Sequence, residues 1–160
     1  MDLEAIEEIR QLKYRYFRSL DTRDWETFGD CLTEDVVARY GTKAMGDPLH
    51  FDSRQEVVDY MSANMGPGLT SVHIANHPEI SVDGDTATGS WAFEDTVLAL
   101  AFNMIIRGAG YYIDTYRRDA DGAWRIASTA YDRLYEAMTS LDDTPSFKLL
   151  ANRWPSTAID

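Results

Sequence analysis

The sequence predicts an α+β domain in which a curved antiparallel sheet wraps around N-terminal helices, a cone-shaped α+β barrel. Three observations predict it. Up to Gly66-Pro67-Gly68, apolar side chains recur every three or four positions; beyond it they recur every second position. The two patterns are segregated rather than alternating, which separates α+β from a βαβ parallel sheet. The 160 residues, 44% of them hydrophobic, suffice for one sizeable core and one domain.

Leu3, Ile6, Ile9, Leu12, Tyr16 and Leu20 mark one face of a first helix, with Glu4, Glu7, Glu8 and Arg15 on the wet side. A second, short helix is expected from Trp25 to Leu32 with Asp24 as its N-cap. Val36 to Tyr40 reads as a strand, and Gly41 to Asp52, holding two glycines and a proline, as a loop. Ser53-Arg54-Gln55-Glu56 is a capping box that opens a helix carrying Val57, Tyr60 and Met61. Beyond Gly68, Val72 and Ile74 alternate with Ser71, His73 and Ala75, and Asp83-Gly84-Asp85 signals a hairpin turn. Thr86 to Leu98 is a long alternating strand with Ala87, Trp91, Phe93, Asp95 and Val97 on one face. A glycine-bearing break is expected at Gly108 and Gly110, then a strand from Tyr111 to Arg118. A turn at Asp119-Ala120-Asp121-Gly122 leads into a final strand from Ala123 to about Tyr135. The cone domain takes residues 1–140, and residues 141–160, with Pro145 and Pro155, read as a C-terminal tail. A sheet curved around a helix encloses a cone whose open end is a natural ligand site.

Charge narrows the function classes. Twenty-seven acidic against 15 basic side chains give a net charge of −12, which argues against nucleic acid and anionic membranes as partners, because phosphate binding needs clustered Lys and Arg. The acidic N-terminus lacks the apolar run of a secretion signal, and the apolar run from Val97 to Ile106 is far short of a bilayer span; the expectation is a cytoplasmic protein. The single cysteine, Cys31, excludes an internal disulfide and a cysteine-rich zinc site. No nucleophile elbow, P-loop or dinucleotide-binding glycine motif occurs.

The candidate polar residues each have a bland reading. Asp21 lies where the first helix's periodicity ends, where a turn aspartate is ordinary, but an acid there gains nothing from the helix dipole. His73 and His77 are four apart and would share a face of a regular strand, yet Pro78 breaks that strand and no third nitrogen ligand is evident, so no metal is expected. Asp95, in the apolar row of Trp91 and Phe93, must be paired, hydrogen-bonded or neutral; Arg133 or Arg107 could pair it. Most of the nine tyrosines are good strand formers, and a few, such as Tyr111 and Tyr112, could line a pocket and donate to a substrate carbonyl.

Four stretches carry a resemblance to a known family: Ile9 to Trp25, with Asp21-Thr-Arg-Asp24; Leu32-Thr-Glu-Asp35-Val; His73-Ile-Ala-Asn-His-Pro-Glu-Ile80; and Asp114 to Ile126, with Gly122-Ala-Trp124. The chain resembles the SnoaL-like proteins of the nuclear-transport-factor-2-like superfamily. It resembles most their dehydratase-like branch, which includes bile-acid dehydratases, scytalone dehydratase and a dehydrochlorinase. The resemblance implies a deep apolar pocket and a catalytic Asp–His pair working without metal or cofactor. It places that pair at Asp21 and His73, with wall tyrosines at Tyr16 and Tyr40 and an acid at Asp95.

The expectation is therefore a cofactor-free lyase (dehydratase) or isomerase acting on a mostly apolar, polycyclic or aromatic substrate. His73 would abstract a proton, Asp21 would hold its tautomer, and Tyr16 or Tyr40 would polarise a carbonyl. Asp95 would join them, with His77, Trp91, Phe93, Tyr111 and Tyr112 as substrate contacts. The alternatives are a non-catalytic small-molecule-binding domain of the same fold and an epoxide hydrolase. The partners expected are a hydrophobic small molecule and further copies of the chain, as a dimer or trimer, because the run from Val97 to Ile106 is apolar at both alternating sets of positions.

Overall fold

Helix α1 spans Leu3–Thr22, opened by Asp2, whose carboxylate accepts from the Ala5 amide, and closed by Arg23 in the left-handed conformation. It buries Ala5, Ile9, Leu12, Tyr16, Phe17 and Leu20, whereas Leu3 at the exposed start stays in solvent. Asp24 caps α2, Trp25–Asp30. The strands are β1 Leu32–Tyr40, β2 Leu49–Phe51, β3 Leu69–Asp83, β4 Thr86–Ala99, β5 Met104–Arg118 and β6 Trp124–Ser140. Ser53 caps α3, Arg54–Asn64, its hydroxyl accepting from the Glu56 amide as the capping box requires. The computed structural model describes residues 1–154, apart from the Met45 side chain; residues 155–160 of the expected tail lie outside the described residues. No described helix is long and apolar enough to cross a membrane.

The six strands form one open sheet in the order β2-β1-β6-β5-β4-β3. Its long strands β3 to β6 make an antiparallel meander, with Gly84, at φ 58°, in the β3–β4 hairpin turn. The sheet is not antiparallel throughout. β1 lies parallel to β6, Val37 opposite Ser128, because α2 returns the chain to the sheet beside its last strand. Helix α1 lies across the concave face and packs on Trp91, Tyr112, Tyr116, Ile126 and Val36, which form the core with it.

Further expectations fail: the segment from Gly41 to Asp52 is not all loop, since it holds β2, and the strand break falls elsewhere than expected. There is no break at Gly108 and Gly110: both lie inside β5, where a Cβ at Gly108 would run into the Arg133 guanidinium and one at Gly110 into the β6 backbone at Asp132. These glycines admit close approach rather than ending a strand. The break is instead a 3₁₀ turn at Leu100–Phe102, followed by Asn103 at φ 53°, a conformation asparagine tolerates. The apolar run from Val97 to Ile106 is thus two strand ends around a turn, not one strand apolar on both faces.

Candidate active site

A cavity of about 140 Å³ opens between the C-terminal half of α1 and the concave face of the sheet. Tyr16 and Leu20 of α1, Tyr40 at the end of β1, Tyr60 and Met61 of α3 and the loop residues Thr42 and Asp47 form one side. Ser71 and His73 of β3, Asp95 and Val97 of β4, Ile106 and Tyr112 of β5, and Tyr131 and Arg133 of β6 form the other.

Asp21, in the last turn of α1, reaches across to β3. Its Oδ1 lies 2.7 Å from His73 Nδ1 and accepts from Ser71 Oγ at 2.8 Å, while its Oδ2 accepts from the His73 backbone amide at 2.8 Å. Three donors thus fix one carboxylate. Its side chain is 17% exposed and that of His73 12%, so both are shielded; His73 lines the cavity and Asp21 stands behind it. Phe17 stacks flat on the imidazole, with 5.2 Å between centroids and 2° between planes. When Nδ1–H donates to Asp21, Nε2 is left with the free lone pair, the arrangement a general base needs.

Tyr16 and Tyr40 share a 2.7 Å hydrogen bond between their hydroxyls. One proton is used in that bond and the other is left to donate elsewhere. The Tyr131 hydroxyl bonds Thr42 Oγ1 at 2.6 Å. The Tyr112 hydroxyl makes no hydrogen bond among the described residues, although its ring is buried among Phe17, Phe93 and Tyr131. Burial holds the phenols of Tyr16, Tyr40 and Tyr112 above the usual tyrosine range, so they act as neutral donors.

On the far wall, Arg133 grips Asp95 with two parallel hydrogen bonds, Nη1 to Oδ1 at 3.0 Å and Nη2 to Oδ2 at 2.7 Å. Nη2 also donates to Thr42 Oγ1 at 3.2 Å, and Glu136 Oε2 lies 3.2 Å from Nε. Burial works against the guanidinium's charge, but the Asp95 carboxylate together with Tyr131 and Glu136 outweighs it and the Arg133 pKa is raised. Glu136 also accepts from the Lys43 and Ala44 amides, which ties the loop at the cavity mouth to the arginine.

Beneath the cavity wall lies a fully buried ion pair, Lys13 Nζ to Asp114 Oδ2 at 2.7 Å. Tyr116 donates to the same oxygen at 2.8 Å, and Trp91 Nε1 donates to the Tyr116 hydroxyl at 2.8 Å. The Lys13 ammonium sits 3.9 Å from the centroid of the Tyr112 ring. A lysine on the apolar stripe of α1 reads as solvated, and its partner is more than a hundred positions away, so no local pattern announces the pair.

Of the residues singled out from the sequence, Asp21, His73, Tyr16, Tyr40, Asp95 and Tyr112 come together, Asp21 through its bonds to His73 and Ser71 and the others on the cavity wall. His77 does not. A bulge between Asn76 and Glu79 sets His77 and Pro78 together opposite Trp91, and His77, at φ 49°, is exposed. The bulge cancels the shared face that a four-residue spacing implies on a regular strand. Tyr111 is 46% exposed on the convex face, one position out of step with Tyr112. Trp91 and Phe93 point inward but are walled off, Trp91 under Tyr14 and Tyr116, Phe93 behind Tyr112 and Tyr131. Ser71, Phe17, Thr42 and Tyr131 were not singled out as site residues, and Arg133 was named only as a candidate partner of Asp95. Ser71 had a signal, since it alternates in step with His73. Among the described residues no three His, Cys, Asp or Glu converge as a metal-ligand set.

The fold recurs in solved structures. A hexachlorocyclohexane dehydrochlorinase, LinA-type3 from Novosphingobium barchaimii LL02, superposes with a TM-score of 0.71 at 15% identity, over 86% of this chain and 91% of its own. A scytalone-dehydratase-like protein from Novosphingobium aromaticivorans gives 0.74 at 15% identity, over 85% and 88%. Rv3472 of Mycobacterium tuberculosis, a protein of unknown function, gives 0.66 at 25% identity, over 96% and 83%. The sequence pattern of the SnoaL-like domain matches residues 1–130, so the chain belongs to the SnoaL-like domain family.

Proposed function

We propose that the chain is a cofactor-free lyase of the dehydratase kind, or an isomerase, that begins by removing a proton beside a carbonyl. The observation that carries this reading is the 2.7 Å contact between Asp21 and His73 at the wall of an apolar cavity. His73 Nε2 takes the α-proton, Asp21 stabilises the imidazolium, and the electron pair moves into the carbonyl as an enolate. The Tyr112 hydroxyl and the spare proton of the Tyr16–Tyr40 pair are the donors available to that oxyanion. Elimination follows when the β-carbon–oxygen bond breaks and the hydroxyl leaves as water with the imidazolium proton. Return of that proton to another carbon gives isomerisation instead.

Size and charge narrow the substrate. A cavity near 140 Å³ takes a benzene-scale ring, so one ring of an aromatic or polycyclic molecule enters and the rest projects from the mouth. Asp95 and Asp47 line the cavity with Arg133, and the Asp21 carboxylate stands behind His73, so the site disfavours an anion and the proposed ligand is neutral. Epoxide hydrolysis needs two carboxylates about an arginine with a water between them. Here the second carboxylate beside Arg133, Glu136, is held by the Lys43 and Ala44 amides, which does not favour that alternative.

The experiment is elimination from β-hydroxy ketones on one- and two-ring skeletons, followed by enone absorbance, with matching carboxylates as controls. Turnover of the neutral ketones that His73→Ala abolishes supports the reading. Ketones that raise the Tm of the wild type and are never turned over would make this a binding domain.

Self-association belongs to the same proposal. Val72, Ile74, Tyr111, Ile113 and Tyr135 stand about half exposed on the convex face of β3, β5 and β6. A patch of this kind on the sheet face away from α1 suits a second copy of the chain. Sedimentation at micromolar concentration should find a dimer or trimer, and a stable monomer would refute it.

A further inference from the structure

The segment after β6 returns to the end of α1. Asn152 Oδ1 accepts from Thr70 Oγ1 at 2.6 Å and from the Trp154 amide at 3.1 Å, and the Gly68 amide donates to the Trp154 carbonyl at 3.3 Å. The Trp154 indole lies over the Arg23 guanidinium, 4.1 Å from its carbon to the ring centroid. Arg23 in turn donates to the carbonyls of Gly66 at 2.8 Å and Leu69 at 2.6 Å. Trp154 Nε1 points at the carbonyl of Asp21, 3.4 Å away. That carbonyl is one of the last of α1, which have no partner within their own helix.

We propose that the C-terminal segment is a strap for the Asp21–His73 pair. Trp154, seated on Arg23 and bonded to the Asp21 carbonyl, fixes the helix end from which the carboxylate reaches His73. Trp154 is a positioning residue: it is not among the residues that line the cavity, and it acts through the end of α1. Arg23 is the hinge pin: with its backbone left-handed at the end of α1, its guanidinium joins the α3–β3 connection to the strap. The Asp21 backbone is thus held from outside the fold while its carboxylate is held from inside by Ser71 and the His73 amide. In β3, Ser71 and His73 are therefore tied to the end of α1 and their neighbour Thr70 to the strap.

The catalytic consequence rests on the Asp21–His73 reading, and the test separates the two. The readout is the hydrogen-bonded Nδ1 proton of His73, observed by NMR in the intact chain, together with its rate of exchange with water. Asp21→Asn is the reference for a pair without its carboxylate. Trp154→Ala should raise the exchange rate roughly two- to tenfold, the range a lost hydrogen bond supplies. Trp154→Phe, which keeps the stack on Arg23 and loses the indole N–H, should fall between wild type and Trp154→Ala, and it decides the matter if the alanine variant does not fold. Both Trp154 variants exchanging as wild type, while Asp21→Asn does not, overturns the strap. Wild-type exchange in Asp21→Asn as well would overturn the pair, and the strap with it.

Discussion

The ring of Phe17 and the imidazole of His73 lie parallel, 2° apart, although one belongs to the N-terminal helix and the other to β3. Asp21 sits one helical turn further along on the same face as Phe17, so one stretch of α1 supplies both the floor under the imidazole and its hydrogen-bond partner. Phe17→Leu should leave the fold intact while freeing the ring to tilt, lowering kcat on any substrate found. Phe17→Ala should also cost about 3–5 kcal/mol of stability, the usual range for deleting a buried phenyl ring. Thermal unfolding beside turnover distinguishes the two effects.

Asp21 and His73 should behave as one unit. Asp21→Asn and His73→Ala should each reduce turnover by roughly 10²–10⁴-fold, the span of acid–base catalysis. The double variant should lose little more than the worse single, because neither residue works without the other. Wild-type turnover in the double variant would end the proposal. Both singles should still fold, since neither lies in the apolar core.

The Lys13–Asp114 pair predicts a lopsided stability cycle. Lys13→Met strands a buried carboxylate whose Oδ1 already has no partner, and should cost about 3–5 kcal/mol. Asp114→Asn leaves the ammonium with its aromatic neighbours Tyr16, Phe17 and Tyr112 and a neutral oxygen, and should cost less. Lys13→Met combined with Asp114→Leu should be less damaging than the two losses added, as chemical denaturation would measure.

Alkali should unfold the protein steeply. Burial raises the pKa of Tyr16, Tyr40, Tyr112 and Tyr116 above the ordinary 10.0. Their contribution is complete below pH 10 and is lost as pH rises toward their folded values, because the unfolded chain then releases protons that the folded chain keeps. Each contributes up to about 1.4 kcal/mol per pH unit. Burial lowers the pKa of Lys13, which acts in the opposite sense, favouring the fold as pH rises toward 10.5, but it is one group against four. The phenolate absorbance of these tyrosines should appear together with unfolding, and its appearance in the folded state would contradict the assignment.

Gly108 and Gly110 should differ in tolerance. At Gly108 a methyl meets the movable end of Arg133, so Gly108→Ala should fold but push the guanidinium off Asp95. At Gly110 it meets the backbone of Asp132 and Arg133, which cannot yield, so Gly110→Ala should destabilise far more. Comparative melting of the two variants checks this.

Those glycines mark a limit of what could be read from the sequence. Periodicity located α1, the capping box of α3 and the β3–β4 hairpin, because each is a local pattern with a local cause. The joining of Asp21 to His73 was not local; family resemblance supplied it, and nothing in the spacing of the two residues implies contact. Lys13 with Asp114 and the parallel β1–β6 pairing are partnerships between distant segments that no window of sequence contains, whereas Arg133 is one of the two arginines that an acid in the apolar row of Trp91 and Phe93 already suggested. His77 was misplaced by one inserted residue, since a bulge inverts every facing beyond it.

The parallel seam between β1 and β6 also sets an order of events. On a ribosome α1, α2 and β1 emerge before the meander, and β1 can find β2 but not its other neighbour, β6, which is made after all the other described strands. The meander from β3 to β5 can pair locally in the meantime. Until β6 emerges, β1 presents one bare edge and α1 lacks the Ile126 side of its bed. Closure of the sheet is therefore a late, long-range step, of the kind that slows folding because distant segments must meet before any contact rewards them. A nascent chain stalled before Trp124 would have most of its strands and no seam, with β1 open to pairing with a neighbour.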